Sequence, residues 1–128
     1  MDKVLAGRQI LVVEDEMMVL WNIEAVLADL GCRDVAVAAT CEQAIALIRD
    51  RRFDVAMLDV NLGGETSYAA ADVLACNGVP FLFSTGYGAH GIDVRFVDRP
   101  VIGKPYRDAD LAAMLVALLP SGTEVQVG

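Results

Sequence analysis

The chain is short of the residues that most often mark a site. It has one histidine, His90, and one tryptophan, Trp21, and aromatics make up only 6% of its 128 residues. His90 stands alone in an irregular stretch, so it reads as a surface side chain and neither a phosphate donor nor a metal ligand. The three cysteines, Cys32, Cys41 and Cys76, are odd in number and lack metal-ligand spacing. They fit reduced thiols better than a disulfide framework. No apolar run reaches the roughly 18 residues that span a bilayer, and the first residues lack the apolar core of a signal peptide. Positive charge is scarce too: ten Lys and Arg face 18 Asp and Glu, a net charge of −8. That balance opposes nucleic acid or anionic membrane as a direct partner. The local cluster Arg49, Arg51, Arg52 follows an expected helix, where cations suit the carboxyl end. A cytoplasmic protein is expected.

What the chain does have is apolar residues, 55% of the total, in short runs. Val55 to Leu58 ends in Asp59 and then, after Val60-Asn61-Leu62, in the pair Gly63-Gly64. Such a run suits a strand buried on both faces, the habit of parallel sheets. Gln9 to Val13 is a similar run ending at Glu14-Asp15-Glu16. Others are Val35 to Ala39, Pro80 to Ser84 before Thr85, and Val101-Ile102 before Gly103-Lys104-Pro105. Between them the period becomes helical. Leu20, Ile23, Leu27 and Leu30 share one face, and so do Ala44, Leu47 and Ile48, and Leu111, Leu115 and Leu118. Thr40 with Gln43 forms a capping box, Thr66 or Ser67 caps a third helix, and Gly31 and Asn77-Gly78 are stops. Pro100 suits an edge strand.

Strand and helix alternate five times, which predicts a single α/β domain over residues 1–128, with its core in 9–119. Its five parallel strands form a doubly wound, flavodoxin-like sheet in the order 2-1-3-4-5. The tail 120–128 is short and polar, and no output domain is expected. Between the last two strands, Gly86, Gly88 and Gly91 interleave with Ile92, Val94 and Val97. The fourth helix is therefore expected to be short, frayed or mobile, with an ordered loop as the alternative.

This topology brings Glu14, Asp15, Asp59, Thr85 and Lys104 to the carboxyl edge of the sheet. Singly each has a structural explanation: a helix cap, a turn hydroxyl, a surface lysine. Together they form a complementary set. Three converging carboxylates repel, and a hard divalent ion resolves the conflict. Asp15 and Asp59 read as direct Mg²⁺ ligands, Glu14 as a ligand directly or through water, and the Asn61 backbone carbonyl as a further donor. A carboxylate such as Asp59 can attack phosphorus, with Lys104 and Thr85 aimed at the phosphoryl oxygens.

With these residues in view the chain resembles the receiver domain of bacterial two-component response regulators. The resemblance covers Gln9 to Leu119 through Val13-Glu14-Asp15-Glu16, Leu58-Asp59-Val60-Asn61-Leu62, Ser84-Thr85-Gly86 and Gly103-Lys104-Pro105-Tyr106. It implies that Asp59 accepts a phosphoryl group from a sensor kinase histidine or a phosphotransfer protein. It further implies that Glu14 and Asp15 bind Mg²⁺, that Thr85 and Lys104 contact the phosphoryl group, and that the Lys104-Pro105 bond is cis. Many members carry an aromatic three residues before the lysine, where this chain has Val101. Position 63, often proline in the family, is glycine, which predicts a looser loop. Pro80 to Tyr87 resembles the signature of a subgroup with a Phe-Ala-Thr-Gly-type motif, Ser84 replacing the usual alanine; its members often stand alone and pair with kinases of the HWE or a closely related class. A downstream protein partner is expected, and a homodimer through the fifth strand and last helix, where Ala112, Ala113 and Ala117 leave a small apolar face.

Two other classes fit the sequence less well. A receiver-like binding module that is never phosphorylated draws support from Val101 alone. An enzyme is opposed at the first strand: Glu14-Asp15-Glu16 would repel a flavin phosphate, and Met17 stands where a haloacid-dehalogenase-type phosphatase needs a second Asp.

Overall fold

A computed structural model describes residues 4–86 and 92–119. Residues 1–3, Tyr87, His90, the rest of 87–91 and the tail 120–128 lie outside the described residues.

The first half alternates β1 (Gln9–Val13), α1 (Met17–Asp29), β2 (Asp34–Ala38), α2 (Cys41–Asp50) and β3 (Val55–Asp59). A small antiparallel pair follows, β4 (Asn61–Leu62) and β5 (Glu65–Thr66), then α3 (Tyr68–Cys76) and β6 (Phe81–Thr85). A 3-10 turn at Val94–Phe96, β7 (Val101–Gly103) and α4 (Asp108–Leu118) complete it. The main sheet has the order β2-β1-β3-β6-β7, and every pairing in it is parallel. This is the flavodoxin-like order expected, once the small hairpin is set apart. No described helix is long and apolar enough to cross a membrane.

Period-two alternation sends each strand's side chains to two cores. Leu11, Val13, Ala56, Leu58, Phe81 and Phe83 pack with α2 and α3. Ile10, Val12, Val55, Met57, Leu82 and Ile102 pack with α1 and α4. Leu111 and Leu115 of α4 are buried as expected, and Leu118 is partly so. Ala112 packs against the core instead of facing outward, leaving Ala113 and Ala117 exposed.

Several local expectations change. Thr40 caps α2 by accepting from Gln43 N at 3.1 Å, but the Gln43 side chain accepts from Ala39 N at 2.8 Å, one residue before the usual capping-box partner. Ser67 occupies the N-cap of α3 without capping it, because its hydroxyl is buried and makes no hydrogen bond. The loop after Asp59 closes as a tight turn. Gly63 and Gly64 have φ of +62° and +102°, the backbone of a two-residue hairpin turn, and Asn61 Oδ1 accepts from Gly64 N at 3.1 Å.

Where a fourth helix would stand, the described residues 92–99 hold only the 3-10 turn. Its Phe96 is 3% exposed and lies among Tyr68, Phe81 and Phe83. Tyr68 Oη accepts from Asp93 N at 3.0 Å, and Arg95 reaches both oxygens of Asp72 on α3 at 2.8 and 2.9 Å. The turn is thus seated on α3 by one aromatic and two polar contacts.

Candidate functional site

The reversal of strand order falls between β1 and β3, and a crevice opens beyond their carboxyl ends. Continuing the two-residue period of the α1/α4 face past the last apolar residues leads from Val12 to Glu14, from Met57 to Asp59, from Leu82 to Ser84 and from Ile102 to Lys104. The face that is apolar inside the protein therefore becomes polar at its rim. Register sets the neighbours: Val13 pairs with Leu58, bringing Glu14 beside Asp59, and Asp59 pairs with Ser84.

Lys104 Nζ lies 2.8 Å from Asp59 Oδ2 and 3.5 Å from Glu14 Oε1. The other Asp59 oxygen accepts from Asn61 N at 3.2 Å, and Glu14 Oε2 accepts from Glu16 N at 3.1 Å. Glu14 and Asp59 are 2% and 7% exposed, while Asp15 faces the cleft from its open side. Asn61, Gly63 and Gly86 line the same cleft. Thr85 is buried at the end of β6, and its carbonyl accepts from Lys104 N at 2.9 Å. The Lys104-Pro105 bond is cis, as the resemblance implied. A Cβ added to Gly63 would stand 3.3 Å from Asp15 Oδ2, so glycine serves both the turn and the close approach to the acidic group.

Glu14, Asp15 and Asp59 each offer an oxygen within 4.8 Å of the others. Against this the described site sets one cation. Burial, the largest cause, pushes the Glu14 carboxyl up to about 7; the Asp59 charge adds to this, while the Glu16 N–H and Lys104 oppose it. Burial would lower the Lys104 ammonium, but its hydrogen bond to Asp59 and the charges of Asp59, Glu14 and Glu16 outweigh that and raise it. Lys104 therefore stays charged at neutral pH. Glu14 Oε1 makes no hydrogen bond, since Nζ at 3.5 Å is an ion-pair contact only. An all-oxygen donor set with excess negative charge and an unsatisfied buried carboxylate atom fits a hard divalent cation such as Mg²⁺.

The raised Glu14 carboxyl has a sign that can be tested. Its folded value lies above the ordinary 4.5, so its contribution to stability is full below about 4.5 and is lost as pH rises through about 7. The loss amounts to about 3 kcal/mol at most. In metal-free buffer Glu14→Gln should therefore gain melting temperature relative to the parent as pH goes from about 5 to about 8. Saturating Mg²⁺ should shrink that advantage. Thermal melts of both proteins across this range check it, and a difference that does not change with pH contradicts it.

The structure gathers Glu14, Asp15, Asp59, Asn61 and Lys104 around one cleft, with Thr85 beside Lys104. Ser84 and Tyr106 stand in the motifs without a role of their own in the sequence pattern. Their hydroxyls are buried on the same side and make no hydrogen bond with the described residues. The two-residue period from Leu82 would have pointed to Ser84.

Comparison with known proteins points the same way. The response regulator receiver domain family matches residues 10–115. The transcriptional regulatory protein YvrH of Bacillus subtilis (strain 168) is 31% identical over 121 residues, covering 90% of this chain and 50% of its own length. The chain spans about half the length of the curated relatives it matches. Among solved structures, SdrG from Sphingomonas melonis Fr1 is 42% identical, with a TM-score of 0.77, over 87% of this chain and 95% of that one. The receiver domain of the sensor histidine kinase PA1611 from Pseudomonas aeruginosa PAO1, with a magnesium ion coordinated in its active site cleft, is 28% identical. Its TM-score is 0.78, over 88% of this chain and 98% of that one.

Proposed function

The chain belongs to the response regulator receiver family, and from that premise we propose that Asp59 is its phosphoacceptor. The observation that carries the reading is the buried Asp59 carboxylate held 2.8 Å from Lys104 Nζ beside two further acidic residues. In the proposed reaction one Asp59 oxygen attacks the phosphorus of a phosphohistidine. The P–N bond breaks, the imidazole leaves with the electron pair, and an acyl phosphate remains on Asp59. Lys104 then exchanges its carboxylate partner for a phosphoryl oxygen, and the Thr85 hydroxyl takes another. Asn61 N fixes the rotation of the acceptor carboxylate.

Glu14, Asp15 and Asp59 would hold Mg²⁺, with the Asn61 carbonyl as a further donor. When bound, the ion screens the acceptor from the incoming phosphoryl charge. The chain supplies the nucleophile, the cation and the orientation, and acts as a signalling module whose only chemistry is transfer to and from its own aspartate.

The proposed donor is a sensor histidine kinase, of the HWE class by the motif at Pro80 to Tyr87, or a phosphotransfer protein. Met17, Met18 and Trp21 at the start of α1 are 60%, 78% and 62% exposed, and Met18 borders an apolar groove formed with Pro105 and Tyr106 beside Lys104. That groove suits the apolar flank of a donor helix. On this reading the chain is a cytoplasmic receiver that signals through a protein partner. Exposed Ala113, Val116 and Ala117 on α4 suit the proposed homodimer through β7 and α4.

The test is incubation with acetyl phosphate with and without Mg²⁺, followed by intact-protein mass measurement. A hydroxylamine-labile phosphoryl adduct that needs Mg²⁺ is the expected result. A receiver-like module that is never phosphorylated would give no adduct under either condition.

A further inference from the structure

The small hairpin β4–β5 forms one wall of the cleft through Asn61 and Gly63. Its first strand is held from below, because Leu62 is 4% exposed and packs in the core shared with α2 and α3. Its second strand, Glu65–Thr66, is exposed at both residues. Two features of the cleft depend on where this hairpin stands. Asn61 N donates to Asp59 Oδ1 at 3.2 Å. Gly63 comes so close to Asp15 that an added Cβ would stand 3.3 Å from Oδ2.

A bond from distant sequence anchors the second strand. Glu65 Oε2 accepts from Cys41 N at 3.2 Å, across 24 residues. Cys41 is the first residue of α2, and its N–H is one of the donors that a helix start leaves without an intrahelical partner. Thr40 Oγ1 takes the Gln43 N–H, so Glu65 completes the cap, and its carboxylate suits the positive end of the helix. Cys41 is 7% exposed and packs in the same core as Leu62, which makes it a fixed point. From Glu65 the hold passes along the pairings Leu62 with Glu65 and Asn61 with Thr66. It is reinforced where Asn61 Oδ1 accepts from Gly64 N at 3.1 Å. We propose that Glu65 is a positioning residue for the acceptor: by tying the hairpin to the start of α2, it keeps the Asn61 N–H on Asp59. The same tie sets the Asn61 carbonyl, and this second effect rests on the Mg²⁺ reading above.

Amide hydrogen exchange by NMR, on the metal-free protein, tests the tie. In Glu65→Ala the amides of Cys41 and Gly64 should exchange about tenfold faster than in the parent. The Asn61 amide should follow them, since its protection reports the bond to Asp59. Glu65→Gln keeps an acceptor oxygen at the same reach and should restore most of the protection. Unchanged exchange at Cys41 in Glu65→Ala overturns the anchor. Unchanged exchange at Asn61, with Cys41 and Gly64 loosened, overturns the positioning of the acceptor.

Mg²⁺ titration of the same variants measures the second effect separately. Glu65→Ala should bind about fivefold more weakly than the parent, less than the loss of a group bonded directly to a ligand, and Glu65→Gln should stay close to the parent. Equal weakening in both variants would show that Glu65 acts by its charge alone, and it overturns the role of the hydrogen bond in setting the carbonyl. A parent that binds no Mg²⁺ while the exchange results hold would place the failure in the metal reading, because the tie to Asp59 needs no ion to be seen.

Discussion

Asp59→Asn is expected to reduce phosphoryl incorporation to background, from acetyl phosphate and from a phosphohistidine donor alike, while leaving the fold in place. The change is isosteric and keeps one acceptor oxygen, for Asn61 N or for Lys104 but not for both, and Glu14 remains beside the lysine. What it removes is the anionic nucleophile, for which no other carboxylate can substitute. Asp15 is exposed on the far rim of the cleft, and Glu14 faces Lys104 from a more buried position with one oxygen tied to the Glu16 N–H. Circular dichroism should overlay that of the parent. A hydroxylamine-labile adduct retained in this variant would show that phosphate goes elsewhere and would sink the assignment.

Lys104→Met has the second large effect, and it acts on stability as well as chemistry. The lysine is the one cation that the described residues place among Glu14, Asp15 and Asp59, at 2.8 Å from Asp59 and 3.5 Å from Glu14. Methionine fills much of the same volume without the charge. Two largely buried carboxylates then face each other uncompensated, and removing one partner of such a pair costs about 3 kcal/mol. Thermal melts in metal-free buffer at neutral pH should show a drop of several degrees, largely recovered on adding Mg²⁺. The recovered protein should still fail to respond to beryllofluoride, because the cation that grips the phosphoryl oxygen is gone. A variant with the parent's metal-free stability would mean that the acidic cluster does not depend on Lys104.

Much of this arrangement was legible in the chain because two periods carry it. Continuous apolar runs ending at Val13, Leu58 and Phe83 identify strands buried on both faces, and the next residues along them form the site. The parallel order then follows from alternation with helices. The unread features share a cause: they are short or depend on partners distant in sequence. Asn61–Leu62 and Glu65–Thr66 are two-residue strands, too brief for any periodicity, and only Gly63-Gly64 between them carries a hairpin signal. Ser67 looked like a cap by residue type, yet tertiary packing buries its hydroxyl. Phe96 gave no periodic signal, and its place among Tyr68, Phe81 and Phe83 needs contacts from α3 and β6. The raised carboxyl of Glu14 follows from burial at the sheet edge, which no local pattern reports.

The role of the acidic cleft as a phosphoacceptor site is tested most directly by an amide NMR titration, first with Mg²⁺ and then with beryllofluoride, which stands in for the aspartyl phosphate without a donor. The account predicts saturable Mg²⁺ shifts at Asp15, Asp59 and Asn61, followed by beryllofluoride shifts that extend to Thr85, Lys104 and the turn at Val94–Phe96. Spectra unchanged by both additions would contradict it.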